Sequence, residues 1–159
     1  MKQRDTVSMP AGDVTRLLAA GRKLQLATIN PDGTPHLVSM FYGMRDGRIA
    51  FWTYRASQKA RNLARDPRVT CLVEEGDDYF ELRGVQVAGE VRRIDDPAGV
   101  AEIGRLVAAR MPGPVVGDLP PEQIAEALDG YVAHAATKRA AYLVEPRKVV
   151  SWDHRRLVS

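Results

Sequence analysis

Near the start of the chain Val14, Leu17 and Leu18 recur at helical spacing, with Asp13 placed to cap the helix and Gly21 to stop it. Beyond Gly21 the apolar period drops from 3.6 to 2, the alternation of a half-buried strand. Residues 23–29 predict one strand, residues 34–42 a second and residues 48–54 a third. Between them lie Asn30-Pro31-Asp32-Gly33 and Arg45-Asp46-Gly47-Arg48, and an Asp-Gly pair between apolar runs is a strong hairpin signal. The expectation is a three-strand antiparallel meander.

Residues 57–65 break this pattern with a short helix that ends at Asp66-Pro67. Residues 68–75 predict another strand, Gly76-Asp77-Asp78 its turn, and residues 79–94 an unusually long strand. Val85, Val87 and Val91 share one face of it, opposite Gln86, Glu90 and Arg92, while Gly84 and Gly89 suggest bulges that curl a sheet toward closure. Asp96-Pro97 opens a helix carrying Val100, Ile103, Leu106 and Val107. A loop over residues 112–120 leads to a helix with Ile124, Leu128, Tyr131 and Val132, and strands over 140–144 and 148–152 close the chain. The pattern predicts a mainly β fold: a small barrel with peripheral helices, as one domain over residues 1–159.

Composition removes several classes. At 45% apolar and 27% charged residues, a chain of 159 is neither disordered nor collagen-like, and no run approaches the ~20 apolar residues of a membrane helix. Met1-Lys2-Gln3-Arg4-Asp5 is not followed by the apolar stretch of a secretory leader. A single cysteine, Cys71, excludes an internal disulfide; alternating with Val69 and Val73, it reads as buried, and a cytoplasmic location is expected. The net charge of +3 is spread along the chain and interrupted by Glu74, Glu75, Asp77, Asp78 and Glu81. That distribution suits a small anionic ligand, not a nucleic acid.

No His-x-x-His or Cys-x-x-Cys pair, Gly-x-Ser-x-Gly elbow or phosphate loop occurs, and His36, His134 and His154 lie far apart, so no metal site is expected. The informative segment is Phe51-Trp52-Thr53-Tyr54-Arg55-Ala56-Ser57-Gln58-Lys59-Ala60-Arg61-Asn62-Leu63. A strand ends there, and a helix begins whose first free amides and dipole favour an anion, with the Ser57 hydroxyl and Lys59 ammonium at hand. Equally, Ser57 reads as a plain N-cap and the cations as a solvated helix face.

The run Leu26-Ala27-Thr28-Ile29-Asn30-Pro31-Asp32-Gly33-Thr34-Pro35-His36 resembles the opening hairpin of the flavin/deazaflavin split-barrel oxidoreductases, relatives of pyridoxamine 5′-phosphate oxidase. Residues 57–69 resemble their phosphate-binding helix and next strand, Tyr79-Phe80-Glu81-Leu82-Arg83-Gly84-Val85 with Gly89 their long strand, and Val149-Val150-Ser151-Trp152-Asp153-His154 a C-terminal strand. The resemblance implies an FMN-binding split β-barrel that forms a homodimer, with cofactors in clefts between subunits. It implies that Ser57, Gln58 and Lys59 hold the cofactor phosphate, with Tyr54, Arg55 and Asn62 supporting. His36, Val38, Ser39 and Met40 would line the ring, largely through backbone groups, and Trp52 and Thr53 would complete that wall. The partner subunit would bring Tyr79 and Trp152 over the cleft, though Trp152 reads also as dimer packing and Met40 as barrel core.

Vitamin-B6 oxidases proper carry an Arg-x-x-Leu-Leu-Lys run where this chain has Leu37-Val38-Ser39-Met40-Phe41-Tyr42, with no cation. The resemblance is therefore closer to the branch that binds deazaflavin coenzyme F420, with FMN as the alternative cofactor. The implied activity is hydride transfer between the deazaflavin and a small unsaturated or heterocyclic substrate; a non-catalytic flavin- or haem-binding split barrel is the other reading. No catalytic side chain is assigned, and Tyr42, His36 or solvent are the candidate proton donors.

Overall fold

The computed structural model describes residues 3–111 and 118–158. A short helix, α1 (Gln3–Val7), which the sequence pattern did not announce, precedes α2 (Ala11–Ala20). The strands and helices that follow are β1 (Lys23–Ile29), β2 (Pro35–Phe41), β3 (Gly43–Arg45), β4 (Arg48–Tyr54), α3 (Gln58–Arg65), β5 (Arg68–Glu75) and β6 (Arg83–Ile94). The chain ends with α4 (Pro97–Ala108), α5 (Pro121–Ala136), β7 (Arg139–Asp153) and a 3-10 turn at His154–Leu157. No helix among the described residues is long and apolar enough to cross a membrane.

All strand pairs are antiparallel, in the order β2-β1-β5-β6-β7-β4-β3. β2 and β3 stand at opposite ends of that order yet follow each other through the single residue Tyr42. A sheet whose two edges are covalently continuous must curl into a barrel. It must also split where the chain passes from one edge to the other. The expected meander is accordingly corrected: β2 pairs only with β1, and β4 pairs with β3 and β7. Extending the β3–β4 register past Gly43↔Ala50 would set Phe41 opposite Trp52 and Met40 opposite Thr53, but the ladder ends there.

Local chemistry accounts for the turns. Asp46 at φ 50° and Gly47 at φ 73° give the two left-handed residues that a tight β3–β4 hairpin requires. Other boundaries move from expectation for physical reasons. α2 starts at Ala11 because Pro10, at φ −59°, has the preset backbone and its carbonyl accepts from the Asp13 and Val14 amides; Asp13 therefore sits inside the first turn. β6 begins at Arg83, since the Glu81 and Leu82 amides fold back onto the Asp78 carbonyl and turn the chain. Gly84 marks no bulge: a Cβ there would lie 2.4 Å from the Trp152 ring, so the position is open for the indole. The irregularity between Ala88 and Gly89 places the extra residue, Arg147, on β7, and the two expected C-terminal strands are one.

Two cores result. Inside the barrel, Leu24, Leu26, Phe51, Cys71, Val85 and Tyr142 pack together, with Phe51 stacked on Tyr142 at 5.1 Å. Burial pushes the Cys71 thiol up to about 12, so it stays a neutral apolar filler. Outside, α4 and α5 cover β4 and β7 with Val100, Ile103, Val107 and Val132 against Trp52 and Leu143. The helical pair thus braces the outer wall of the barrel beside the split.

Candidate cofactor cleft

The split opens into a cleft of about 240 Å³ lined by Met40, Phe41, Trp52, Thr53, Tyr54, Lys59, Val107, Met111, Tyr131 and Arg139. Five expected site residues meet here: Met40, Trp52, Thr53, Tyr54 and Lys59. α3 is aimed at it from the end of β4. Ser57 caps α3 by accepting from the Ala60 amide at 3.2 Å, and its hydroxyl lies 3.2 Å from that of Thr53. The Gln58 and Lys59 amides, the first of the helix, have no acceptor among the described residues. Lys59 is half-buried, burial alone lowers its pKa, and no carboxylate pairs with it among the described residues. Two unused amides, a hydroxyl and an ammonium at one helix end have the chemistry to receive a tetrahedral anion.

Behind the helix, Asn62 is fully buried. It donates to Thr28 Oγ1 at 3.0 Å and to Asn30 Oδ1 at 3.1 Å, and accepts from Gln58 Nε2 at 2.9 Å. Its amide hydrogens are thus engaged, and its support of the site is to seat α3 on β1. Arg61 is held by the Ala56 carbonyl and Gln58 Oε1, both at 2.8 Å. Exposed Arg55 donates to the Thr137 carbonyl at 3.1 Å, next to a hollow between α4 and α5.

The second strand contributes differently along its length. Register pairs His36, Val38 and Met40 with Thr28, Leu26 and Leu24, so these side chains face inward. Only Met40 reaches the cleft. Ser39 turns its side chain to the outer face, into a separate hollow with Arg22, Lys23 and Glu74. The bonds from the Asn30 amide to the Thr34 carbonyl and from the Tyr42 amide to the Arg22 carbonyl set the phase of the ladder. Even-numbered amides therefore point at β1, and those of Leu37, Ser39 and Phe41 point to the free edge at the split. Backbone contacts to a ring would come from these residues; the His36, Val38 and Met40 amides are already in use.

Tyr79 and Trp152 lie elsewhere. Tyr79 is 56% exposed, packs edge-on against Phe80 at 5.2 Å, and its carbonyl meets His154 Nδ1 at 2.8 Å. Trp152 packs over Gly84. Within one chain neither touches the cleft. Tyr42 is fully buried, donates to the Leu18 carbonyl, and has its phenol pKa raised by burial, so it cannot serve as a proton donor to a cleft ligand. His36 is not among the lining residues either.

Sequence reasoning missed Arg139, Tyr131 and Val107. Arg139 opens β7 opposite Tyr54, a juxtaposition that depends on a register between elements 85 residues apart. Its guanidinium lies 4.5 Å from the centroids of both Trp52 and Tyr54. It also lowers the Tyr54 phenol pKa, by hydrogen bonding first and charge second. Among the described residues no group of three or more His, Cys, Asp or Glu could hold a metal ion.

A curled seven-stranded antiparallel sheet, split beside a helix whose N-terminus faces the opening, is a split barrel of the flavin-binding kind. The chain belongs to the pyridoxamine 5′-phosphate oxidase family, whose profile matches residues 13–153. Among solved structures it is similar to a conserved hypothetical protein of Mycobacterium tuberculosis, 36% identical, covering 100% of this chain and 94% of that one, with a TM-score of 0.85. An F420 reductase is 26% identical, covering 89% of this chain and 98% of its own, with a TM-score of 0.64. HutZ, the haem storage protein of Vibrio cholerae, shares the fold at 17% identity, covering 89% and 94%, with a TM-score of 0.62. A comparison with curated proteins returned no match.

Proposed function

We propose that this protein is a coenzyme F420-dependent oxidoreductase that acts as a homodimer on small unsaturated or heterocyclic compounds. The observation that carries the reading is Lys59: an ammonium half-buried at a helix N-terminus that has two free amides, with no counter-ion among the described residues. Desolvating a lone cation is unfavourable unless a ligand brings the anion. FMN and the deazaflavin both carry a phosphate. Two features favour the deazaflavin: the cation-free strand Leu37-Val38-Ser39-Met40-Phe41-Tyr42 and the similarity to an F420 reductase. Exposed Arg55 and Arg61 near α3 suit the acidic tail that the deazaflavin carries and FMN lacks.

The residues fit such a group at its phosphate end. Ser57 and the Gln58 and Lys59 amides would receive the phosphate, the amides of Leu37, Ser39 and Phe41 would meet the ring edge, and Trp52 and Met40 would wall it. When bound, the deazaflavin supplies hydride to an electron-poor C=C or C=N bond. The chain's own part is to hold ring and substrate together, with solvent at the open cleft supplying the proton. Half a site is consistent with the size of the cleft, which at about 240 Å³ lies below the ~300–1,000 Å³ of common ligand pockets. A second copy would complete it, bringing Tyr79 and Trp152 of the partner subunit over the opening. Leu37, at 66% exposure, and exposed Phe80 and Val149 are apolar surface available to that contact.

Fluorescence titration of the apo-protein with coenzyme F420, with FMN and with haem tests the reading. Selective F420 binding, at least tenfold weaker in Lys59→Ala without loss of fold, is the expected result. Preference for FMN would keep the site and change the cofactor. Binding of haem alone would make the protein a non-catalytic relative.

A further inference from the structure

Trp52 and Tyr54 are two residues apart on β4 and so present their rings on one face, where the Arg139 guanidinium lies over both at 4.5 Å. Trp52 is itself fixed: its ring occupies the place a side chain at position 104 would need, 2.4 Å from the Cβ that Gly104 lacks, and Tyr131 meets it edge-on at 6.4 Å. Arg139 is therefore immobilised, yet its Nε is buried without an acceptor and no carboxylate pairs with it among the described residues. Residues 112–117, which follow Met111 on the cleft wall, contain no acidic side chain. Ring contacts engage the faces of a guanidinium; beyond what the Tyr54 phenol takes, the edge formed by its terminal nitrogens lies in its plane and matches the two oxygens of a carboxylate.

The two cations of the cleft differ in kind. Lys59 is a point charge beside helix amides, suited to a tetrahedral phosphate, whereas Arg139 is a rigid planar fork beside Tyr131, Val107 and Met111. We propose that Arg139 marks a second subsite in the cleft, which binds the carboxylate of a small ring-bearing or otherwise apolar acid. This rests on the oxidoreductase reading only for the role of that acid as substrate; binding itself needs no cofactor. The other source of the same chemistry is the glutamyl tail of a deazaflavin.

Calorimetric titration of the full-length apo-protein separates these. The probes are benzoate, its neutral isostere benzamide, the dipeptide γ-glutamylglutamate and inorganic phosphate. Benzoate is expected to bind at least tenfold tighter than benzamide. Arg139→Gln should weaken it at least tenfold and change phosphate affinity less than twofold, while Lys59→Ala does the reverse. Arg139→Lys keeps the charge without the fork and should fall between, which also guards against a misfolded glutamine variant. A preference for the dipeptide, lost in Arg139→Gln, assigns the carboxylate to the cofactor tail and overturns the substrate class. No binding of either acid, binding indifferent to Arg139, or equal loss of phosphate in Arg139→Gln overturns the subsite. If phosphate fails to bind but benzoate still depends on Arg139, the Lys59 reading falls and the subsite stands.

Discussion

Lys59 and Asn62 share one eight-residue helix and live in opposite circumstances. Asn62, at the back of α3, is fully buried and hydrogen-bonded to Thr28, Asn30 and Gln58. Lys59, one turn earlier at the front, is half-buried with no partner among the described residues and a pKa lowered by that burial. The fold satisfies the groups that seat the helix and leaves unsatisfied those that face the split. Polar groups at an opening that the fold itself leaves without a partner are available to a ligand, and here the first amides of α3 and the Lys59 ammonium are such groups.

The largest test of the contrast is at the back. Asn62→Leu keeps the branched outline, removes both donations and leaves Thr28 and Asn30 without their partner. A loss of about 2–4 kcal/mol in urea unfolding is expected. A loss within about 0.5 kcal/mol, the size of an ordinary surface change, would mean that α3 is not seated through this amide.

At the front the expected stability effect is smaller and opposite in sign. Lys59→Met removes an uncompensated charge, so the melting temperature should stay level or rise while phosphate affinity falls at least tenfold. The pH dependence follows from the direction of the shift. A base whose folded-state pKa lies below its unfolded value binds fewer protons when folded over that interval, so its penalty is present at neutral pH and fades as pH rises toward the usual lysine value. The advantage of Lys59→Met should therefore be present at pH 7 and vanish above about pH 10.5. A melting temperature that drops at pH 7 would show Lys59 to be a structural cation and would weaken the site reading.

How legible this was in sequence depended on the range of each interaction. β1, β4 and β5 were predicted at their observed limits, because alternation and the flanking Asn30-Pro31-Asp32-Gly33, Asp46-Gly47 and Asp66-Pro67 are local signals. Ser57 and Asp96 were recognised as caps for the same reason. The split was not legible as a break in pairing, since Tyr42 continues the apolar pattern from β2 into β3 and only the rest of the barrel pulls the ladders apart. In the cleft, the β4 and α3 residues were readable as one continuous segment. Arg139 was not, because it reaches Trp52 and Tyr54 through a register set by the whole β4–β7 ladder. Tyr131 and Val107 carry ordinary helix-core spacing, with nothing to mark them as lining.

The contrast can be sharpened at the other end of α3, where the polar groups are again satisfied. Asp66 follows the last turn, and the Arg68 side chain donates to it from Nε at 3.0 Å and from its terminal nitrogen at 2.7 Å, with the Arg68 amide at 3.1 Å. These bonds hold the Asp66 carboxyl below its ordinary value, at about 2. A carboxyl with a depressed folded-state pKa binds fewer protons when folded, so its contribution is complete above its unfolded pKa, near 3.8, and is lost as pH falls through about 2. Arg68→Gln should raise the Asp66 pKa toward the unfolded value in a carbon-detected NMR titration. Any stability difference from wild type should be greatest near neutrality and absent below pH 2. Phosphate affinity at Lys59 should not move, because the Arg68 fork lies at the far end of the helix. A parallel fall in phosphate affinity would mean that the exit of α3 sets the posture of its entrance, and the front and back of the helix would then have to be treated as one coupled unit.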